Sequence, residues 1–341
     1  DGFGSPLPSY LRTVAPLYHP RTIIILLIFT IRNTVMRDFT LKTYHLLLSA
    51  LKDNGYQFQT FRDFIKSPAF RCVILRHDVD ARKMNSLRTA KLENELGIRG
   101  TYYFRIVPES FDVEVIRQVY EMGHEVGYHY EDVSTMAERQ KAEGRRKGLF
   151  GSEHSLRSET TKSRITGAQS SEEIELELIR RAIESFKENL EKLRRIVPVE
   201  SVCMHGSPLS RWDNRLLWKY YDYRDFGIVG EPYFDTDFDE VLYLTDTGRR
   251  WDGGAVAIRD KAEGGRRKAE GDTPSAFSLQ PSACIHSSFD IIAAARANSL
   301  PDKIMLTVHP QRWDDRPFPW IKELVWQNVK NVIKGVVAGK M

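Results

Sequence analysis

Val73-Ile74-Leu75-Arg76-His77-Asp78-Val79-Asp80 is an apolar triplet that runs straight into a cluster of ionisable side chains. A short branched apolar run of this kind reads as a buried strand. Strand alternation puts His77 on the opposite face from Asp78. Helical spacing then sets in over about Asn85–Leu96 and stops at Gly97. Thr101-Tyr102-Tyr103-Phe104 reads as the next strand, Val113 to Met122 as the next helix, and Glu125–His129 as a third strand. Strands alternating with helices are the pattern of a parallel sheet.

The pattern extends in both directions. Upstream, Leu41, Tyr44, Leu47, Leu48 and Leu51 share one helical face, with Thr40 as N-cap and Gly55 just beyond the end. Downstream, Ile174, Leu178, Ile179, Ala182, Phe186, Leu190 and Leu193 line a long helix that Ser170 and Glu173 open as a capping box. Ser201–Met204 reads as a strand, Asn214–Tyr220 as a helix, and Asp225–Val229 and Val241–Leu244 as strands. Phe289–Ala297 is helical, Ile304–Val308 a strand, and Trp320 to Val337 a closing helix. Seven or so strands in one chain favour a closed or nearly closed barrel over an open sheet.

The 341 residues are 41% hydrophobic and 28% charged, which suits a packed core and excludes wholesale disorder. Fifty basic residues face 46 acidic ones, a net charge of +4. That excess is too small for the positive field of a dedicated nucleic-acid binder, so no nucleic-acid partner is expected. Cys72, Cys203 and Cys284 form no C-x-x-C pair, which excludes a cysteine-based zinc knuckle. An odd, sparse count also fits a reducing, cytoplasmic compartment.

The longest apolar run, Ile23 to Ile31, is bounded by Arg21 and Arg32 and falls short of the roughly 20 residues a membrane span needs. It has the length of a signal or anchor core, but Arg32-Asn33-Thr34-Val35 supplies no small-residue cleavage site. Residues 1–35 are therefore expected to be a poorly structured extension, with Met36 a natural start for the single barrel domain of 36–341. Two polar segments, about 138–170 and 260–283, interrupt the barrel pattern. They carry the near copies Lys141-Ala142-Glu143-Gly144-Arg145-Arg146-Lys147 and Lys261-Ala262-Glu263-Gly264-Gly265-Arg266-Arg267-Lys268. Charge runs of this kind are usually solvated, and both are read as surface insertions rather than a grip on an anionic polymer.

The residues able to do chemistry gather at strand ends. Asp78 and Asp80 follow the first strand, His129 ends the third, and His205 follows Ser201–Met204. Asp246 and Arg249 follow Val241–Leu244, and His309 follows Ile304–Val308. In parallel α/β barrels the C-terminal strand ends share one mouth, where functional groups collect. Two carboxylates and three histidines there form a ligand group suited to zinc or another divalent transition metal. His124, at the start of its strand, reads instead as a buried structural histidine.

Arg76-His77-Asp78-Val79-Asp80, Gly100-Thr101-Tyr102-Tyr103-Phe104 and Gly123-His124-Glu125-Val126-Gly127-Tyr128-His129 resemble the ordered motifs of NodB-like polysaccharide deacetylases, carbohydrate esterase family 4. Leu306-Thr307-Val308-His309 resembles that family's late strand ending in a catalytic histidine. The resemblance implies a distorted (β/α)7 barrel with one divalent ion, zinc in the first instance, with cobalt, nickel or iron as alternatives. It makes Asp78 the catalytic base, His309 the general acid, and Asp80 and His129 metal ligands. The family's two aspartates are adjacent, whereas Val79 separates them here. The second histidine of the family's H-x-x-x-H motif falls on Val133. His205 is the first choice for the missing ligand and Glu131 the alternative. His77 is the weakest of the three, because alternation turns it away. Trp251, in Asp246-Thr247-Gly248-Arg249-Arg250-Trp251-Asp252, resembles the family's tryptophan-bearing fourth motif, and with Arg249 and Trp313 is expected to contact substrate.

The activity expected from this resemblance is hydrolysis of an acetyl or other acyl group from an N-acetylated sugar or glycan. Two alternatives stay open: a metal-free amide hydrolase on the same barrel, which Val133 favours, and a non-catalytic glycan-binding relative.

Overall fold

The computed structural model describes residues 36–151, 171–206, 210–251 and 285–338. The rest of the expected extension and insertions, 1–35, 152–170 and 252–284, and Ser170 of the expected capping box lie outside these residues. The chain divides into Asp1–Arg37 and Asp38–Met341, and every described helix and strand belongs to the second unit. The part of the first insertion that is described, through Gly151, is helical.

The elements run α1 (Leu41–Asp53), β1 (Gln57–Gln59), α2 (Phe61–Lys66), β2 (Cys72–Val79), α3 (Lys83–Glu95), β3 (Thr101–Phe104), α4 (Val113–Glu121) and β4 (Glu125–Tyr130). After them come α5 (Asp132–Gly151), α6 (Ser171–Arg194), β5 (Val202–Met204), α7 (Leu217–Tyr220), β6 (Leu242–Thr245), α8 (Ser288–Arg296), β7 (Lys303–Val308) and α9 (Pro317–Ala338). Helix starts follow local chemistry. Thr40 Oγ1 accepts from Thr43 N at 3.1 Å to cap α1, and Ser287 with Asp290 forms a reciprocal capping box on α8. Gly123, at φ +87°, lets the chain leave α4 and turn directly into β4.

All pairings between the described strands are parallel, in the order β5-β4-β3-β2-β7-β6, with β1 also on β2. The fold is α/β with one curled parallel sheet that forms a half-barrel. Among the described strands β5 and β6 are not paired with each other, so the closure expected from strand number is not made there. The expected strand at Asp225–Val229 is not one. Tyr223–Phe226 is a 3-10 turn ended by Gly227 at φ +68°, and the chain meets the sheet only at a single bridge, Ser201 to Gly230. The seventh strand is instead β1, whose Gln-Phe-Gln sequence carries little apolar signal.

Alternation along each strand decides what faces where. Val73 and Leu75 of β2, Leu242 and Leu244 of β6, and Ile304, Leu306 and Val308 of β7 pack outward in one core with α1 and α8. Tyr102 and Phe104 of β3, Val126, Tyr128 and Tyr130 of β4, and Val202 and Met204 of β5 pack outward in another with α4 and α6. The inner face holds the alternate residues. Near the N-terminal ends these are apolar: Cys72, Ile74, Met305 and Val241, closed by Phe61 and Phe64 of α2. Toward the C-terminal ends the same face turns polar, through Arg76, Asp78, His129, Thr307 and His309.

The outer face also carries a buried polar cluster around Glu93 of α3. Tyr44 Oη donates to Glu93 Oε1 at 2.7 Å and Tyr102 Oη at 2.9 Å, and His77 Nε2 lies 2.9 Å from the same oxygen. Burial opposes ionisation of Glu93, but the imidazoles of His77 and His124 and the hydroxyl donors hold its carboxyl below the usual range. His77 therefore belongs to the helix–sheet interface, opposite Asp78. His124 is buried too: its Nδ1 accepts from Gly100 N at 3.1 Å and its Nε2 lies 3.2 Å from Ala90 O.

Gly127 makes the inner face possible. It sits opposite Tyr103 in the β3–β4 register, and a Cβ there would overlap the Tyr103 ring and come within 2.9 Å of Ser201 O. Gly127→Ala is expected to destabilise the protein by about 1–3 kcal/mol through overpacking, measured as a fall in denaturant midpoint. An unchanged midpoint would contradict this packing.

Candidate metal centre and acid–base groups

Register sets up the site. Asp78, Tyr103 and Gly127 lie in one row across β2, β3 and β4. Asp80 and His129 each lie two residues further on, and His129 pairs with Cys203 of β5, two residues before His205. Parallel strands ending level with one another thus bring Asp80, His129 and His205 to one point.

Asp80 Oδ1 lies 3.5 Å from His129 Nε2 and 3.5 Å from His205 Nε2. That oxygen is buried and accepts no hydrogen bond. The other oxygen, Oδ2, accepts from Gln311 Nε2 at 3.1 Å and lies 3.9 Å from His309 Nε2. Burial opposes ionisation of Asp80, but the imidazoles of His129, His205 and His309 together hold its carboxyl well below the usual carboxylate range.

Of the two candidate ligand histidines, His129 is hydrogen-bonded at its far nitrogen, and His205 has a carboxylate beside its own without hydrogen-bond geometry. His129 Nδ1 lies 2.9 Å from Cys203 O, and His205 Nδ1 lies 3.1 Å from Glu131 Oε2. The carbonyl at His129 Nδ1 takes a proton there, so the Nε2 atoms of both rings are the ones directed at Asp80 and the ones a metal would take. Asp80 Oδ1, His129 Nε2 and His205 Nε2 all lie within 4.8 Å of one another. A buried carboxylate oxygen with no hydrogen bond, facing two imidazole nitrogens at 3.5 Å, is a polar group whose compensation is incomplete. The three residues could hold a metal ion, which would complete that compensation.

A second group, Asp78, His129 and Cys203, is equally close but suits a cation less well. It shares His129 with the first group, Arg76 already holds both Asp78 oxygens, and burial pushes the Cys203 thiol well up, so it stays protonated.

Val133, where the H-x-x-x-H spacing would place a second histidine, is fully buried in the outer core with Tyr128 and Phe186. The first turn of α5 thus faces hydrophobic packing rather than the site, and His205 stands at the site instead. Glu131, the alternative ligand, is turned to other work. It receives Arg105 Nε at 2.9 Å and Nη2 at 2.7 Å and stands beside His205 Nδ1. Burial opposes its charge, but His205 and Arg105 lower its pKa to about 2.

Asp78 lies beside this centre, 3.9 Å from His129 Nε2. Arg76, two residues back on the same face, grips it with Nε to Oδ1 at 2.8 Å and Nη2 to Oδ2 at 2.7 Å. The guanidinium lies over the Tyr233 ring at 4.9 Å and also donates to Tyr233 Oη at 3.2 Å. Burial opposes ionisation of Asp78, but Arg76 and His129 hold its pKa below the usual value. Behind Arg76, Glu231 accepts from Met204 N and Tyr233 N, and burial pushes its pKa up to about 7.

His309 faces the centre from the end of β7. Asp246 accepts from its Nδ1 at 2.6 Å and from its backbone N at 2.9 Å, leaving Nε2 toward Asp80. Arg312 Nη1 and Trp313 Nε1 donate to the same carboxylate. The 2.7 Å approach of Arg312 Nη1 to His309 Nδ1 follows from both groups converging on Asp246 Oδ1.

The expected substrate residues are placed differently. Trp251 and Trp313 are buried at 1% and 0% exposure, packed on Phe39, and Trp313 also on Tyr44. Trp251 Nε1 donates to Ser288 Oγ at 2.9 Å. Neither indole has a face to offer a sugar. Arg249 is also buried, its guanidinium 4.9 Å from the Phe39 ring centre and 4.7 Å from that of Trp320. All three support the Asp246 side of the site from behind instead of lining it. The sequence pattern singles out none of Arg105, Gln311, Glu231 and Tyr233, because their contacts join segments far apart in the chain.

Comparison with protein-family models, curated proteins and solved structures finds no match to this chain.

Asp246 makes the stability of this site depend on pH. Burial opposes its charge, yet Arg312 and His309 lower its pKa to about 2, against about 3.9 when unfolded. Its contribution is full above about pH 4 and is lost as pH falls toward 2, a change of about 2 kcal/mol. Unfolding free energy measured across that range should fall more steeply for the wild type than for Asp246→Asn. Parallel profiles would contradict the assignment.

Proposed function

We propose that this chain is a metal-dependent amide hydrolase that removes an acetyl group from an N-acetylated sugar or glycan. The observation that carries the reading is Asp80 Oδ1, buried without a donor and equidistant from two imidazole nitrogens. The resemblance of the 76–80, 100–104, 123–129 and 306–309 segments to NodB-like deacetylases supplies the reaction class, and the half-barrel sheet suits that family's distorted barrel. Asp80, His129 and His205 would hold the ion, zinc in the first instance. Bound there, a divalent ion would polarise an acyl oxygen and lower the pKa of a water to about 7.

The chain's own groups divide the proton transfers. Asp78, kept ionised by Arg76, receives the proton of the attacking water at a carboxylate oxygen. His309, its Nδ1 held by Asp246, delivers a proton from Nε2 to the leaving nitrogen. The new bond joins water oxygen to acyl carbon, the carbon–nitrogen bond breaks, and acetate and a free amine result. Recognition of the sugar is assigned to neither Trp251 nor Trp313.

A carbohydrate is the proposed partner, rather than nucleic acid. No described helix is long and apolar enough to cross a membrane. Cys72 and Cys203 are free and buried, which fits a reducing compartment, and we place the activity in the cytoplasm.

The test is acetate release from N-acetylglucosamine oligomers by the full chain, with and without a chelator. Chelation should abolish release and added zinc restore it. Asp78→Asn and His309→Ala should each lower the rate by about 10²–10⁴-fold while still binding the ion, and Asp80→Ala and His129→Ala should lose both. Release that survives chelation would transfer the reading to a metal-free hydrolase. Full activity in Asp78→Asn would remove Asp78 as base.

A further inference from the structure

We infer that Arg105 is a positioning residue that ties the Asp80 side of the centre to the His205 side. The inference rests on the proposed metal centre.

His205 and Asp80 both stand beyond their strands, where no ladder of hydrogen bonds fixes them. His205 N donates to Tyr130 O at 2.9 Å and its carbonyl accepts from Asn214 Nδ2 at 2.9 Å, which hold its backbone but not its ring. The ring stands against Glu131 Oε2, 3.1 Å from Nδ1, as a charge contact without hydrogen-bond geometry. Glu131 is in turn held by two of Arg105's three nitrogens, Nε and Nη2. The third, Nη1, donates to the carbonyl of Asp80 at 3.3 Å. One guanidinium thus reaches the main chain of one ligand and, through a carboxylate, the ring of another.

Arg105 is itself well placed to act as a strut. It follows β3, the strand between β2 and β4, and its N–H donates to Ser110 Oγ at 3.1 Å, which donates to Val79 O at 2.5 Å. From the other side, Arg82 Nη1 donates to Gln311 O at 3.1 Å and Gln311 Nε2 to Asp80 Oδ2. Arg82 does this from a left-handed backbone, φ +51°, a conformation that persists only where its surroundings enforce it. The Asp80 loop is therefore braced on both flanks, and only the Arg105 brace also reaches His205.

The planar fork is essential to this role, because a lysine amine can serve one oxygen but cannot span three acceptors. The test is zinc affinity of the full chain, read by competition with a fluorescent chelator, beside the denaturation midpoint of the metal-free protein. Arg105→Gln should lower zinc affinity by about 10–100-fold without moving that midpoint. Glu131→Ala should cause a similar loss, and the double variant no more than the larger single loss, since both act through His205. Arg105→Lys should recover part of the affinity, and it is the variant to read if Arg105→Gln does not fold. Zinc affinity equal to wild type in Arg105→Gln or Arg105→Lys overturns the inference alone. A wild-type chain that binds no zinc overturns the proposed metal centre and this inference with it.

Discussion

A buried central strand can carry ionisable side chains on both faces only if each finds its partner there, since an unpaired buried charge costs several kcal/mol. Strand β2 meets that condition twice within three residues. On the inner face Arg76 grips Asp78 with two parallel hydrogen bonds, and on the outer face His77 meets Glu93 among the hydroxyls of Tyr44 and Tyr102. The strand cannot slip by one residue without exchanging these faces. That locks the register on which Asp80, just beyond the strand, depends.

Everything else at the mouth follows from strands ending together. Once β2 is fixed, parallel pairing sets β3 and β4, and β4 sets β5. Asp80, His129 and His205 then converge without any one element having to bend toward the others. Behind them, Cys203 O holds the far nitrogen of His129 and Asp246 that of His309, and Glu131 stands beside the far nitrogen of His205. The aromatic residues Trp251 and Trp313 belong to this supporting layer, which is why they are buried.

Much of this is legible in the sequence because it is local. Period-two alternation and polar strand ends are written in five to eight residues, and these bring Asp78, Asp80, His129, His205 and His309 to one mouth. Long-range contacts are not legible. Glu131 and His205 stay open alternatives until Arg105 is seen to occupy the glutamate. Trp251 and Trp313 read as sugar-facing because nothing local records that Phe39 and Tyr44 cover them. The strand expected at Asp225–Val229 fails for a local reason, Gly227 in a left-handed turn. Strand β1 escapes notice because Gln57 and Gln59 flank a single apolar residue.

Whether Asp80, His129 and His205 hold a cation is decided by anomalous diffraction at the zinc edge from crystals grown with zinc. One peak is expected, about 2.0–2.2 Å from Asp80 Oδ1, His129 Nε2 and His205 Nε2, with Glu131 still on Arg105. No peak at that point, or a peak bound by Glu131 with His205 turned away, would contradict the proposed centre.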